Sequence, residues 1–177
     1  MSKLRMATVW LDGCSGCHMS FLDVDERLLT VAEKADLVYS PLVDAKEFPE
    51  NVDVTLVEGA VSSEEDLHKI KVVRQRTKTL VSLGDCSVTA NVPGMRNACG
   101  VKAVCDRAYR ENVTLDPGVP QQIVPALLPR VCPIHEIVAV DVFVPGCPPS
   151  ADTIFFVVAE LLAGRIPHIN SRTRFGA

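Results

Sequence analysis

The sequence is poor in aromatic residues, at 5% of the chain, and it carries no excess of positive charge. Eighteen Lys and Arg stand against 22 Asp and Glu, a formal net charge of -4. Without a basic face or stacking aromatics there is no case for nucleic acid binding. No apolar run reaches membrane-spanning length. The run Ala7-Thr8-Val9-Trp10-Leu11, behind the basic N-terminal stretch Met1 to Met6, is too short for a secretory signal or a span, and Asp12 interrupts it. A twin-arginine signal is also missing, so a cytoplasmic location with no membrane span is expected. Internal repeats and low-complexity tracts are absent. The cysteine count, seven, is odd. In a reducing compartment that argues against a disulfide framework and directs the cysteines toward metal or cluster ligation. With 177 residues, 47% of them hydrophobic, the chain is long enough for one well-buried domain, and a single domain over residues 1–177 is expected.

What is present is an alternation of strand-like and helix-like segments. Arg5 to Leu11 reads as a buried strand and Ser20 to Ala35 as one amphipathic helix, with Leu22, Leu28, Leu29 and Val31 on its apolar stripe. Asp36 to Val43 and Val52 to Val57 read as the next strands. Ser62, with Glu65 three residues on, has the capping-box pattern for a helix running to about Thr77, and Glu64, Glu65 and Asp66 suit the positive end of its dipole. Thr79 to Leu83 is a further strand, Ala98 to Arg110 a helix, and Ile137 to Val144 the last strand. Ser150 to Ala163 is a strongly apolar final helix closed by Gly164. The segment Asp116 to Pro133 breaks the alternation, with five of the twelve prolines among Val, Ile and Leu. It is expected as a long ordered loop whose apolar side chains need the core or another subunit as partner. The whole reads as an α/β fold: a flavodoxin-like, doubly wound parallel sheet with helices on both faces.

Three short stretches each follow a strand-like run: Gly13-Cys14-Ser15-Gly16-Cys17-His18, Leu83-Gly84-Asp85-Cys86-Ser87 and Val144-Pro145-Gly146-Cys147-Pro148-Pro149. In doubly wound sheets ligands bind outside the carboxyl ends of the strands. One sheet would therefore bring Cys14, Cys17, Cys86 and Cys147 to a common edge, with Glu58 beside them. Four thiolates suit an iron-sulfur cluster or a zinc ion; zinc sites favour paired cysteine knuckles, and the scatter of one pair and two isolated cysteines fits a cluster better. A redox disulfide between Cys14 and Cys17 explains half of the pattern. A flavodoxin-like module with FMN in the same crevice, its cysteines incidental or bound to zinc, stays open as a different class.

The combination of Asp12-Gly13-Cys14-Ser15-Gly16-Cys17, Val57-Glu58-Gly59-Ala60-Val61, Gly84-Asp85-Cys86 and Pro145-Gly146-Cys147-Pro148-Pro149 resembles the small subunit of cytoplasmic nickel-iron hydrogenases, above all the NAD-reducing soluble type. The resemblance runs in order through essentially the whole chain. It implies a flavodoxin-like domain holding one proximal 4Fe-4S cluster on Cys14, Cys17, Cys86 and Cys147, beside a nickel-iron centre on a large partner subunit. It implies no catalytic residue in this chain. Electrons from H2 oxidation would pass through the cluster toward diaphorase iron-sulfur and flavin subunits that reduce NAD. Longer hydrogenase small subunits continue into a second cysteine-rich domain; thirty residues without cysteine follow Cys147, so one cluster is expected. The related complex I subunit shares the fold and the Pro-Gly-Cys-Pro-Pro stretch but has adjacent cysteines where Cys14 and Cys17 are spaced by two residues, which makes it the runner-up. Coenzyme F420-reducing hydrogenases and sulfhydrogenases have similar small subunits, usually with more clusters. FMN is not expected in this chain, because the loop that would hold its phosphate is Gly13 to His18, whose cysteines are committed and which carries no Lys or Arg.

Other residues have plainer readings. Cys99 and Cys105 read as buried apolar side chains. Cys132, before Pro133, has no partner at ligand spacing. His18 reads as a surface polar group or as a hydrogen-bond donor to a cluster sulfur. Glu58 is open between a helix-proximal carboxylate, a proton carrier and an interface contact.

Overall fold

A computed structural model describes residues 3–173 of the chain; the outermost residues of the expected domain, 1–2 and 174–177, lie outside the described residues. The elements in order are β1 (Leu4–Trp10), α1 (Gly16–Leu22), α2 (Arg27–Lys34), β2 (Ala35–Tyr39), β3 (Val52–Glu58), β4 (Val61–Ser63), α3 (Glu64–Arg76), β5 (Thr77–Leu83), α4 (Asp85–Thr89), α5 (Val101–Asp106), β6 (Leu127–Cys132), β7 (Val142–Val144) and α6 (Ala151–Leu162). Five strands form one sheet in the order β2-β1-β3-β5-β7, every neighbouring pair parallel. This is the flavodoxin-like order, with the reversal between β1 and β3.

Both faces of the sheet are covered, because alternate residues of its strands point to opposite sides. Met6, Val54, Leu56, Val81 and Leu83 pack with Phe21 of α1 and Ile154, Val157 and Val158 of α6. Ala7, Val9, Val57 and Leu80 pack on the other side with Ile70 and Val73 of α3. Among the described residues no helix is long and apolar enough to cross a membrane.

Several expected boundaries differ. The helix expected over Ser20 to Ala35 begins at Gly16 and is two helices. Asp25, at φ 57°, adopts the left-handed conformation that Asp tolerates better than most residues, and the turn around it buries Val24 to 2% exposure. The capping box lies one residue further on than expected: Asp66 Oδ2 accepts from Ser63 N at 3.0 Å and Ser63 Oγ accepts from Asp66 N at 3.1 Å, while Ser62 belongs to β4. The proline-rich segment is not all loop, since Leu127–Cys132 pairs antiparallel with β4 as a separate two-stranded sheet. Pro129 is accommodated there because this strand has one partner only. Its apolar residues divide: Val131 is buried, whereas Ile123, Val124 and Leu127 are exposed.

The helix expected from Ala98 starts at Val101, after a 3-10 turn (Pro93–Ala98) and Gly100 at φ 80°, and passes into a π-helical turn (Arg107–Glu111). The last strand is confined to Val142–Val144. Directly before it the Asp141 carboxylate accepts the Leu80 N–H at 2.7 Å and pairs with Arg74 at 2.7 Å, so a side chain does there what a strand carbonyl would do.

Candidate metal centre

Three loops meet at the carboxyl edge of the sheet, and local backbone chemistry fixes each one. After β1, Leu11 N donates to Glu58 O at 3.0 Å, and Asp12 and Ala60 exchange backbone hydrogen bonds of 3.1 and 2.7 Å. The first loop is thereby pinned to the loop after β3 at the reversal in strand order. Gly59 permits this approach: at φ 86°, a Cβ on it would lie 2.7 Å from the Leu11 carbonyl carbon. Ser15, at φ 65°, then turns the chain into α1, which starts between the two cysteines.

The loops after β5 and β7 are joined to each other. Gly84 N donates to Val144 O at 2.8 Å and Asp85 N to Gly146 O at 2.9 Å, and the Gly146 N–H returns to Asp85 Oδ1 at 2.7 Å. Cys86 stands in the first turn of α4, and Cys147 precedes Pro148 across a cis peptide. Ser20 of α1 donates to Pro149 O at 2.6 Å and ties the first loop to the third.

The consequence is that Cys14, Cys17, Cys86 and Cys147 line one cleft of about 70 Å³, together with Glu58 and Asp85. Cys14 and Cys147 stand at its exposed side, and Cys17 and Cys86 are partly covered. Among the described residues no three His, Cys, Asp or Glu side chains converge closely enough to hold a single metal ion. Four cysteines from three strand ends share this cleft, and an all-cysteine donor set suits an iron-sulfur cluster or a zinc ion. The backbone makes the room. A Cβ on Gly84 would lie 2.2 Å from Cys17 Sγ, and one on Gly16 would lie 3.2 Å from Cys14 Sγ.

Burial, and then the neighbouring Glu58 carboxylate and the other sulfurs, push the Cys17 thiol far above its ordinary range. Burial likewise carries Cys86 up to about 11, against a hydrogen bond from the Val92 backbone that lowers it. At Cys17 and Cys86 the surrounding protein therefore disfavours the thiolate, which a bound cation would favour.

His18 is not a surface group. It is 5% exposed, with its Nε2 3.0 Å from Thr8 Oγ1, which in turn donates to Ser40 Oγ at 2.8 Å. Glu58, 2% exposed, accepts the His18 backbone N–H at 2.6 Å. Its Oε2 also lies 2.8 Å from His18 Nδ1, yet off the ring N–H direction, so that contact is a close pairing rather than a directed hydrogen bond. Cys99 and Cys105, expected in the core, are exposed and partly exposed, on a short helical stretch that buries none of its residues. Cys132 lies away from the cleft, beside Arg130 at 3.4 Å. Two residues that the sequence did not bring forward reach the sulfurs: Val92 through its backbone, and Asn91, whose Nδ2 is 3.6 Å from Cys147 Sγ. Asn91 is 56 residues from Cys147, and no motif marks it.

Residues 14–161 match the family described as NADH ubiquinone oxidoreductase, 20 Kd subunit. The chain is 42% identical to the delta subunit of the NAD-reducing hydrogenase HoxS of Cupriavidus necator, over 92% of this chain and 80% of that protein. It is also 42% identical to a subunit of the F420-non-reducing hydrogenase of Methanothermobacter marburgensis, over 92% of this chain but only 54% of that protein. The iron-sulfur subunit of the F420-non-reducing hydrogenase of Archaeoglobus profundus is 32% identical over 93% of this chain and 57% of its own length. Among solved structures, a chain of an NAD+-reducing NiFe hydrogenase in the H2-reduced state superimposes with a TM-score of 0.93 at 40% identity, covering 98% of this chain and 99% of that one. A NiFeSe hydrogenase from Desulfovibrio vulgaris Hildenborough, at 16% identity and a TM-score of 0.59, shares the fold over 90% of this chain and 59% of its own. The chain belongs to the NADH ubiquinone oxidoreductase 20 kDa subunit family, on its hydrogenase side.

Proposed function

We propose that this chain is the electron-transfer small subunit of a cytoplasmic NAD-reducing nickel-iron hydrogenase, a single flavodoxin-like domain carrying one 4Fe-4S cluster on Cys14, Cys17, Cys86 and Cys147. The observation that carries this reading is the meeting of four cysteines from three strand ends in one cleft. When bound, such a cluster supplies reversible one-electron transfer, at a potential set by its charge, exposure and hydrogen bonds. The chain's own residues hold and shield it. Gly16 and Gly84 leave space for the sulfurs, Asp85 joins the loops of Cys86 and Cys147, and the covered positions of Cys17 and Cys86 keep the inner side of the cleft drier than the outer.

No residue of this chain is assigned a catalytic role. H2 cleavage belongs, in this reading, to a nickel-iron centre on a large partner subunit, and the electrons continue to diaphorase iron-sulfur and flavin subunits that reduce NAD. The NAD-reducing relative supports that direction. This end of the sheet suits a protein partner, because Trp10, bonded through its Nε1 to Gly13 O, and Met19, two residues after Cys17, are exposed apolar side chains. FMN is assigned to the partner subunits and not to this chain.

The test is iron and acid-labile sulfide analysis of the chain purified anaerobically with its large subunit. About four irons and four sulfides per chain are expected. Stoichiometric zinc, or resolved flavin bands without iron, would overturn the assignment.

A further inference from the structure

One short turn beside the cleft is shaped in a way that the ligand assignment does not account for. After α4 the backbone passes through Ala90 at φ 64° and Asn91 at φ 21°, conformations that side-chain-bearing residues seldom adopt. Asn tolerates this region and Ala does so poorly. The turn is nevertheless held from both sides, by Ala90 N donating to Cys86 O at 3.0 Å and Gly94 N donating to Ala90 O at 2.8 Å. Its outcome is that two successive residues face two different sulfurs. The Asn91 amide donates to Cys147 Sγ at 3.6 Å, and the Val92 backbone N–H is directed toward Cys86. An ionised sulfur only accepts, so the Asn91 side chain presents its nitrogen there rather than its oxygen.

We infer that the Ala90–Val92 turn is a donor cap that raises the reduction potential of the cluster, with the Asn91 amide as its adjustable part. This rests on the cluster reading given above. Hydrogen bonds to ligand sulfurs stabilise the more negatively charged reduced state more than the oxidised one, and so move the potential upward. Val92 acts through its backbone and is the same whatever side chain stands there. Asn91 acts through its side chain, so its identity decides how many donors the cap supplies. A role confined to shaping the loop would change stability or cluster content and leave the potential where it is.

The experiment is a redox titration of the cluster, followed by electron paramagnetic resonance, in the complex of this chain with its large subunit. Asn91→Gly removes the amide and suits the positive φ. It is expected to shift the midpoint to more negative potential with iron and sulfide content unchanged. Asn91→Asp puts an acceptor with negative charge in the donor's place and is expected to shift it further the same way. Leu115→Ala, at an exposed position that does not line the cleft, is expected to leave the midpoint unchanged. An unshifted or more positive midpoint in Asn91→Gly with the cluster intact overturns the inference. If Asn91→Gly loses its iron, Asn91→Asp decides; loss of iron in both would make the residue a holder of the cluster and also overturn it. Unsubstituted protein without iron and sulfide would refute the underlying cluster assignment instead, before any variant is read.

Discussion

Replacing Gly84 with alanine puts the proposed ligation to a quantitative test. Gly84 has φ 83°, and an added Cβ would stand 2.2 Å from Cys17 Sγ, where ordinary contact begins at 3.4 Å. The sulfur must therefore retreat by about 1.2 Å. Metal–thiolate bonds are near 2.3 Å and tolerate deviations of about 0.2 Å, so the bond cannot absorb that movement. Gly84→Ala is expected to lose most of its iron and sulfide. Gly84, at φ 83° and ψ 160°, also occupies a backbone region that is essentially restricted to glycine, which adds about 1–3 kcal/mol for a residue with a Cβ. At about 2–4 °C per kcal/mol for a chain of this size, the iron-free protein should melt about 2–12 °C lower. Gly16→Ala is the graded companion. Its Cβ would meet Cys14 Sγ at 3.2 Å, so a few tenths of an ångström suffice and the cluster should be largely retained. Iron and sulfide per chain, measured on anaerobically purified complexes, provide the comparison. Gly84→Ala holding as much iron as the unsubstituted protein would refute the idea that Cys17 Sγ is a ligand fixed against Gly84.

The other expectations are briefer. Serine at Cys14, Cys17, Cys86 or Cys147 should sharply reduce iron content, whereas serine at Cys99 or Cys105, which lie outside the cleft, should not; full iron in Cys147→Ser would remove the assignment. Asp141→Ala should cost about 1–3 kcal/mol in urea unfolding, because it leaves the Leu80 N–H, on a fully buried residue, without its acceptor; an unchanged midpoint and slope would show that the backbone compensates. Denaturing a heterodimer of this chain and its large subunit, prepared without diaphorase subunits or added flavin, should release little FMN; about one per heterodimer would place flavin in this chain and contradict the reading of the phosphate loop. Met19→Glu should weaken pairing with the large subunit in co-purification, since it sets a charge on an exposed apolar side chain two residues after Cys17; undiminished pairing would locate the interface elsewhere.

The parts of the fold that could be read from sequence are those whose signal is contiguous. Strand cores such as Val52–Glu58 and the stretches around Cys14, Cys86 and Cys147 each carry their own pattern, and the parallel arrangement brings them to one edge. The parts that escaped depend on partners far apart in the chain. Val61–Ser63 is too short to read as a strand without Leu127–Cys132 beside it, and the prolines of that partner read as loop. The break at Asp25 depends on one backbone torsion inside an otherwise helical pattern. Ile137 to Asp141 has the composition of a strand, yet the Asp141 carboxylate takes over the Leu80 hydrogen bond and the ladder starts one residue later. His18, in α1, is buried because Thr8 of β1 and Glu58 of β3 supply its polar contacts, 10 and 40 residues away in sequence. A histidine next to a cysteine gives no sign of that.

The hydrogen bonds between the loops of Cys86 and Cys147 have a consequence for how the centre is built. Gly84–Val144, Asp85–Gly146 and the returning Gly146–Asp85 bond extend the β5–β7 pairing past the end of the sheet, and the Asp12–Ala60 exchange does the same between the first loop and the one after β3. The sulfurs therefore sit on two jaws, Cys14 and Cys17 on one and Cys86 and Cys147 on the other, bridged by the Ser20–Pro149 hydrogen bond. Each jaw is ordered by amide hydrogen bonds that involve no sulfur. The entropy of arranging the ligands is lost when the polypeptide folds rather than when metal arrives. In the proposed reading the sheet edge, and not the sulfurs, sets where each jaw stands, so breaking one of these amide bonds would displace a pair of ligands without touching either cysteine.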